Sequence, residues 1–164
     1  MPHKASTGKV KEAATPAQVL RRFRVVFNSV RTHFRDMERQ VGLGGAQVWA
    51  LSIIKTHPGI GIGGIAQNMD IHQSTASNLI KALQKRSLIE VAKSEEDRRN
   101  VCLKILPAGT ALLKKVSGPF EGVLPAALSE MSPKALSRLD KDLSELIVLL
   151  KTDDAAEEIP LADI

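Results

Sequence analysis

The sequence predicts a mainly α-helical fold with one small β-hairpin set among the helices. Three observations carry that expectation. Apolar residues recur at helical spacing over most of the chain, and the period switches once, to strict alternation, near residues 87–106. Aromatic residues are scarce: four Phe, one Trp and no Tyr, a supply better suited to a helical core of Leu, Ile, Val and Ala than to a β-sandwich. At 164 residues, with 43% hydrophobic and 25% charged side chains, the chain is long enough for one domain with extensions.

Residues 1–14, MPHKASTGKVKEAA, lack an apolar stretch and read as a flexible basic arm, not a signal peptide. Thr15-Pro16 is an N-cap followed by proline at the first helical position. Leu20, Phe23, Phe27, Val30, Phe34, Met37 and Val41 then keep helical spacing until Gly42 and Gly44 end the run, so residues 15–44 form one long helix. A second helix runs from Gly45 to Thr56 and stops at His57-Pro58-Gly59. IGGIAQNM (62–69) allows about two helical turns, Asp70-Ile71-His72 make a turn, and QSTASNLIKALQKRS begins a further helix. In that helix Ala76, Leu79, Ile80 and Leu83 form a single core-facing stripe. SLIEVAKS reads as a strand, EEDRRN as a charged turn, and VCLKIL as a strand alternating Val101, Leu103 and Ile105 with Cys102 and Lys104. Pro107 opens a helix expected to continue to about Leu128 with a bend at Gly118-Pro119. Ser132-Pro133 repeats the cap-plus-proline signal ahead of a terminal helix. There Leu136, Leu139, Leu143, Leu146 and Leu150 follow steps of 3, 4, 3 and 4, a heptad seam.

Two adjacent short helices followed by a hairpin is the order of a winged helix-turn-helix. The predicted architecture is therefore a winged helix-turn-helix domain (45–106) flanked by N- and C-terminal dimerisation helices (15–44 and 107–151), with an acidic tail at 152–164. A one-sided terminal seam and a first helix too long for so small a core both point to a homodimer, because a monomer would expose a large apolar patch.

Charge distribution agrees with a double-stranded DNA partner. Residues 1–40 hold nine Lys/Arg against three Asp/Glu, and residues 152–164 hold five acids and no Lys or Arg. The outward face of the helix beginning at Gln73 is free of acids. Gln73, Ser74, Thr75, Ser77 and Asn78 are suited to base edges or phosphates, and Lys81 and Lys85 to the phosphate backbone. At the hairpin tip Arg98 and Arg99, beside Glu95, Glu96 and Asp97, are candidates for a narrow A·T-rich minor groove.

Other chemistries fare poorly. Gly59, Gly61 and Gly64 match GxGxxG, but a helix precedes them, only two turns follow, and no acid is placed for a ribose, so the match is accidental. His3, His33, His57 and His72 have no metal-ligand spacing with one another or with Cys102. One cysteine excludes an internal disulfide framework and fits a reducing cytoplasm, and no apolar run approaches a membrane span. No nucleophile-base motif is present, so an enzyme and a cofactor are not expected.

The segment STASNLIKALQKRSLIEVAKSEEDRRNVCLKILPAG resembles the recognition helix, wing and following helix start of MarR-type transcriptional regulators. Its most specific pieces are Asp97-Arg98-Arg99 and Pro107-Ala108-Gly109. The resemblance implies a homodimer with interlocked first and last helices on a pseudo-palindromic operator. It further implies Asp97 bracing the wing, an arginine of the Arg98/Arg99 pair in the minor groove, and release by a small aromatic or phenolic acid. An effector pocket is then expected between the first two helices, with Phe27, Phe34 and Trp49 as aromatic surfaces and Arg31 or His33 meeting a carboxylate. The chain departs from the family at Ser87, where glycine is usual, at Leu106, where threonine is usual, and at Asn78, where arginine is common. The expected function is a DNA-binding regulator, most readily a repressor, acting in the cytoplasm at the nucleoid. The alternatives are a nonspecific architectural DNA-binding protein and a winged-helix protein-interaction module without effector.

Overall fold

A computed structural model describes residues 13–93 and 101–150. The elements run α1 (Pro16–Val41), α2 (Gly45–Thr56), α3 (Ile62–Met69), α4 (Gln73–Lys85), β1 (Ile89–Lys93), β2 (Val101–Ile105), α5 (Pro107–Leu113), α6 (Val123–Ser129) and α7 (Pro133–Leu150). The chain is thus mainly α with a two-stranded wing.

α2 is the centre of the core. Ala46, Val48, Ala50, Leu51, Ile53 and Ile54 are all buried, a helix apolar on every side and packed on every side. Its one buried polar side chain, Ser52, donates to the Trp49 carbonyl at 2.7 Å. Ile65, Ala66 and Met69 of α3, and Ala76, Leu79, Ile80 and Leu83 of α4, close over it. The hairpin pairs antiparallel with Ile89 opposite Ile105 and Val91 opposite Leu103, and seats Ile89 and Leu103 in the same core. Gly59 donates to the Leu103 carbonyl and Leu103 to the Ile60 carbonyl, each at 2.9 Å. The glycine-rich connection is therefore a short extended piece laid against the wing. At Gly61 the backbone passes close to the wing, since a Cβ there would stand 3.4 Å from the Val101 carbonyl oxygen.

α1 begins with a full capping box. The Thr15 hydroxyl accepts from the Gln18 amide, and the Gln18 side chain accepts from the Thr15 amide at 2.8 Å. It ends at Gly42, whose φ of +67° closes the helix in the left-handed region. Of its 26 residues only Val30, Phe34 and Met37 are buried, so the turns from Pro16 to Ser29 project from the core. α7 likewise buries none of its residues.

The helix expected from Pro107 to Leu128 is two helices instead. α5 stops at Leu113 and α6 starts at Val123. Pro119 supplies no amide for a helical ladder and disfavours helical geometry at Gly118, so a bend becomes a break. Gly122, at φ +105°, then redirects the chain into α6. No helix among the described residues is long and apolar enough to cross a membrane.

Candidate nucleic-acid interface

Two local devices aim α4. His72 is its N-cap, and the Ala76 amide donates to the His72 carbonyl at 3.0 Å as the helix begins. At the other end Leu88 donates to the Leu83 carbonyl at 3.1 Å and Ser87 to the Gln84 carbonyl at 2.9 Å, a Schellman closure. Ser87 occupies its left-handed position with φ +55°, where glycine is the residue of least strain. Arg86, the C-cap, reaches across the fold and donates through Nη1 to the Gly42 carbonyl. α4 is therefore tied to the end of α1 by a charged hydrogen bond. Composition and periodicity contain no signal for that contact, since its partner is a backbone oxygen 44 residues away.

With the apolar stripe buried, Gln73, Ser74, Asn78, Lys81 and Lys85 are exposed, and Thr75 and Ser77 are half-buried. All seven belong to one helix whose 13 residues include no acid. The Ser77 hydroxyl donates to the Gln73 carbonyl at 2.8 Å, which leaves its oxygen lone pairs to accept. Asp97, Arg98 and Arg99 lie outside the described residues, while β1 and β2 lead to either side of them.

The expected effector residues are only partly brought together. A cavity of about 540 Å³ is lined by Phe27, Arg31 and Phe34, and also by Val26, Asn28, Val30, Arg35 and Glu38 of α1, Gly44, Gly45 and Leu124. His33 is not on it. That ring bonds the Pro119 carbonyl oxygen at 2.9 Å and borders a separate polar cleft with Asp36 and Gln40. Trp49 is not on it either, because it packs half-buried against the core. Phe34 is a wedge as much as a wall: Cβ atoms added at Gly45 and Gly122 would stand 2.2 and 2.8 Å from its ring. Neither Arg35 nor Leu124 was among the expected lining residues: Arg35 follows Arg31 by one helical turn, a signal that could have found it, whereas α6 was expected inside a longer helix. Among the described residues no group of His, Cys, Asp and Glu could hold a metal ion.

The α7 seam residues Leu139, Leu143 and Leu146 are half-exposed, and Leu136 and Leu150 are 41% and 61% exposed. On α1, Val19, Leu20, Val25, Val26 and Phe27 are exposed as well.

Comparison with known proteins places these features. Residues 45–101, α2 through the start of β2, match the model of the MarR family. The HTH-type transcriptional repressor MdtR of Bacillus subtilis is 19% identical over 129 residues, covering 79% of this chain and 83% of that protein. The HTH-type transcriptional regulator Hpr of Exiguobacterium sibiricum is 36% identical over 74 residues, 43% of this chain and 39% of that protein. The crystal structure of the Staphylococcus aureus MepR–DNA complex superposes with a TM-score of 0.58 at 18% identity, over 84% of this chain and all of that one. The structural likeness speaks for the fold, and the sequence match over α2, α3, α4 and the hairpin speaks for the family. Over residues 45–101 the chain is similar to the MarR family, and its winged helix-turn-helix is the fold seen in the MepR structure.

Proposed function

We propose that the protein is a homodimeric DNA-binding transcription regulator, a repressor that leaves a pseudo-palindromic operator when a small aromatic or phenolic acid binds. The observation that carries this reading is the outer face of α4, an acid-free surface of hydroxyl, amide and ammonium groups on a helix whose other side is locked into the core. In this reading Gln73, Ser74, Thr75, Ser77 and Asn78 meet base edges and nearby phosphates in the major groove. Lys81 and Lys85 neutralise phosphates. An arginine of the Arg98/Arg99 pair, braced by Asp97, enters the adjoining minor groove, and the basic arm adds unspecific attraction.

The dimer is supported by the apolar surface of α1 and α7, which nothing in the described chain covers. Residues 15–44 and 107–151 then serve as dimerisation helices around the winged domain. The effector reading is supported by the cavity beside Phe27 and Phe34, with Arg31 and Arg35 at its edge for a carboxylate. Because α1 lines the cavity and receives Arg86 from the recognition helix, a ligand that favours one placement of α1 also favours one placement of α4. Such a regulator works in the cytoplasm.

The test is titration of the purified protein against the DNA upstream of its own gene, at two salt concentrations, with random DNA as control. Nanomolar, two-fold-symmetric protection with a preference of at least about 10³ over random DNA is the expected result. Equal, salt-sensitive binding to both DNAs would make it an architectural protein. Absence of binding to either, with full function retained after Arg98→Ala and Arg99→Ala, would make it a partner-docking module.

A further inference from the structure

Two stripes of α1 run side by side along the cavity of about 540 Å³. Phe27, Val30 and Phe34 follow steps of 3 and 4 and form the apolar stripe. Arg31, Arg35 and Glu38 follow steps of 4 and 3 and form the polar one beside it. The rest of the described lining brings no charge. Every charged group on the cavity among the described residues therefore comes from one stripe, and the order along the helix is positive, positive, negative. Among the described residues the ion pair on α1 joins Arg39 to Asp36 at 3.8 Å, so the three cavity charges are not paired with one another.

That order selects among ligands. A cavity of roughly 150 Å³ encloses a benzene ring, so a one-ring acid leaves most of this larger one empty. Arg31 to Glu38 covers about 10 Å of helix, which a body longer than one ring spans. A molecule lying along the stripe with its carboxylate on Arg31 and Arg35 brings its other end to Glu38. An apolar end there takes water from a carboxylate and returns no hydrogen bond, and a second carboxylate adds repulsion. A protonated amine forms a charge-assisted hydrogen bond with it. We infer that the cavity takes an elongated aromatic zwitterion, with its carboxylate on Arg31 and Arg35, its rings against Phe27 and Phe34, and its ammonium on Glu38. Glu38 then determines specificity, by penalising the wrong far end as much as by attracting the right one. The inference rests on the effector reading above and narrows its ligand class.

The experiment is isothermal titration calorimetry on the full chain, without DNA. The probes are benzoate and three para-substituted biphenyl carboxylates that differ only at the far end, which carries aminomethyl, ethyl or a second carboxylate. The natural chain should bind the aminomethyl acid about tenfold more tightly than its ethyl isostere, and the dicarboxylate more weakly than either. Glu38→Gln should abolish that preference. Glu38→Lys should reverse it, with the dicarboxylate now bound most tightly, a gain that a misfolded variant could not show. Arg31→Gln/Arg35→Gln should weaken binding of the aminomethyl and ethyl acids alike. In the natural chain, equal or tighter binding of the ethyl acid or of benzoate overturns the inference and leaves an aromatic-acid effector standing. A preference for the aminomethyl acid that survives Glu38→Gln also overturns it, since the amine would then be met elsewhere. Binding of no acid at all, benzoate included, overturns the effector reading and this inference together.

Discussion

Ser87 holds a left-handed turn that most residues avoid, at φ +55°, and it does so at the end of the helix that the proposed function depends on. Ser87→Gly should stabilise the fold by about 0.5–1 kcal/mol, the relief of that backbone penalty less the extra entropy of a glycine when unfolded. An unchanged or lower urea midpoint would show that the turn carries no strain. Gly45 makes the opposite case. A methyl there would stand 2.2 Å from Phe34 Cδ1. Gly45→Ala is expected to cost about 1–3 kcal/mol through overpacking, with part of the loss recovered by Phe34→Leu. On the α4 face two exposed neighbours should separate by role. Lys81→Ala should weaken binding to all DNA sequences alike and lower the salt slope by about one, whereas Asn78→Ala should cost about 1–3 kcal/mol on the operator alone. Competition binding against operator and random DNA distinguishes the two. The outward and inward residues of α4 were legible in advance because a 3.6-residue period assigns sides without any knowledge of neighbours. The grip on the Phe34 ring was not, because it comes from glycines distant in sequence, Gly45 and Gly122.

At the level of elements, the helices with strong caps ended where the sequence placed them. Thr15-Pro16 and Gly42 bound α1, and Ser132-Pro133 opens α7, where the Ser132 hydroxyl accepts from the Ala135 amide at 3.3 Å. The hairpin likewise kept its alternation, with Leu103 inward and Lys104 outward. The expected helix over residues 107–128 failed between Leu113 and Val123, a stretch with little apolar periodicity to oppose Gly118, Pro119 and Gly122. α7 is the element whose energetics most need a second copy, since an 18-residue amphipathic helix with no buried side chain gains little from packing within its own chain. Leu143→Lys, in the middle of the seam, should shift the protein from dimer to monomer in sedimentation velocity and weaken operator binding with it. A dimer mass unchanged by that substitution would move the interface to another surface.

For the whole molecule the prediction is electrostatic. In the proposed dimer, two copies would bring the Lys81 and Lys85 pairs, Arg98 and Arg99, and the basic N-terminal segments to one duplex, enough for some 6–10 phosphate contacts. Affinity should therefore fall by about 10³-fold or more between roughly 50 and 200 mM salt. A shallow slope in filter-binding or fluorescence titrations would argue that the basic surface serves something other than DNA. The order of elements through the hairpin, the inward stripe of α4, the alternating wing and the charge asymmetry between the chain's ends were determined by sequence alone, because each depends on local period, local caps or a simple count. What only the tertiary structure decided is what comes together from afar. It separated His33 and Trp49 from the cavity, brought Arg35 and Leu124 to it, and tied Arg86 to Gly42. Those outcomes depend on where α1 and α6 come to rest against α2, and that placement is set by packing shape around Phe34, which no periodicity encodes.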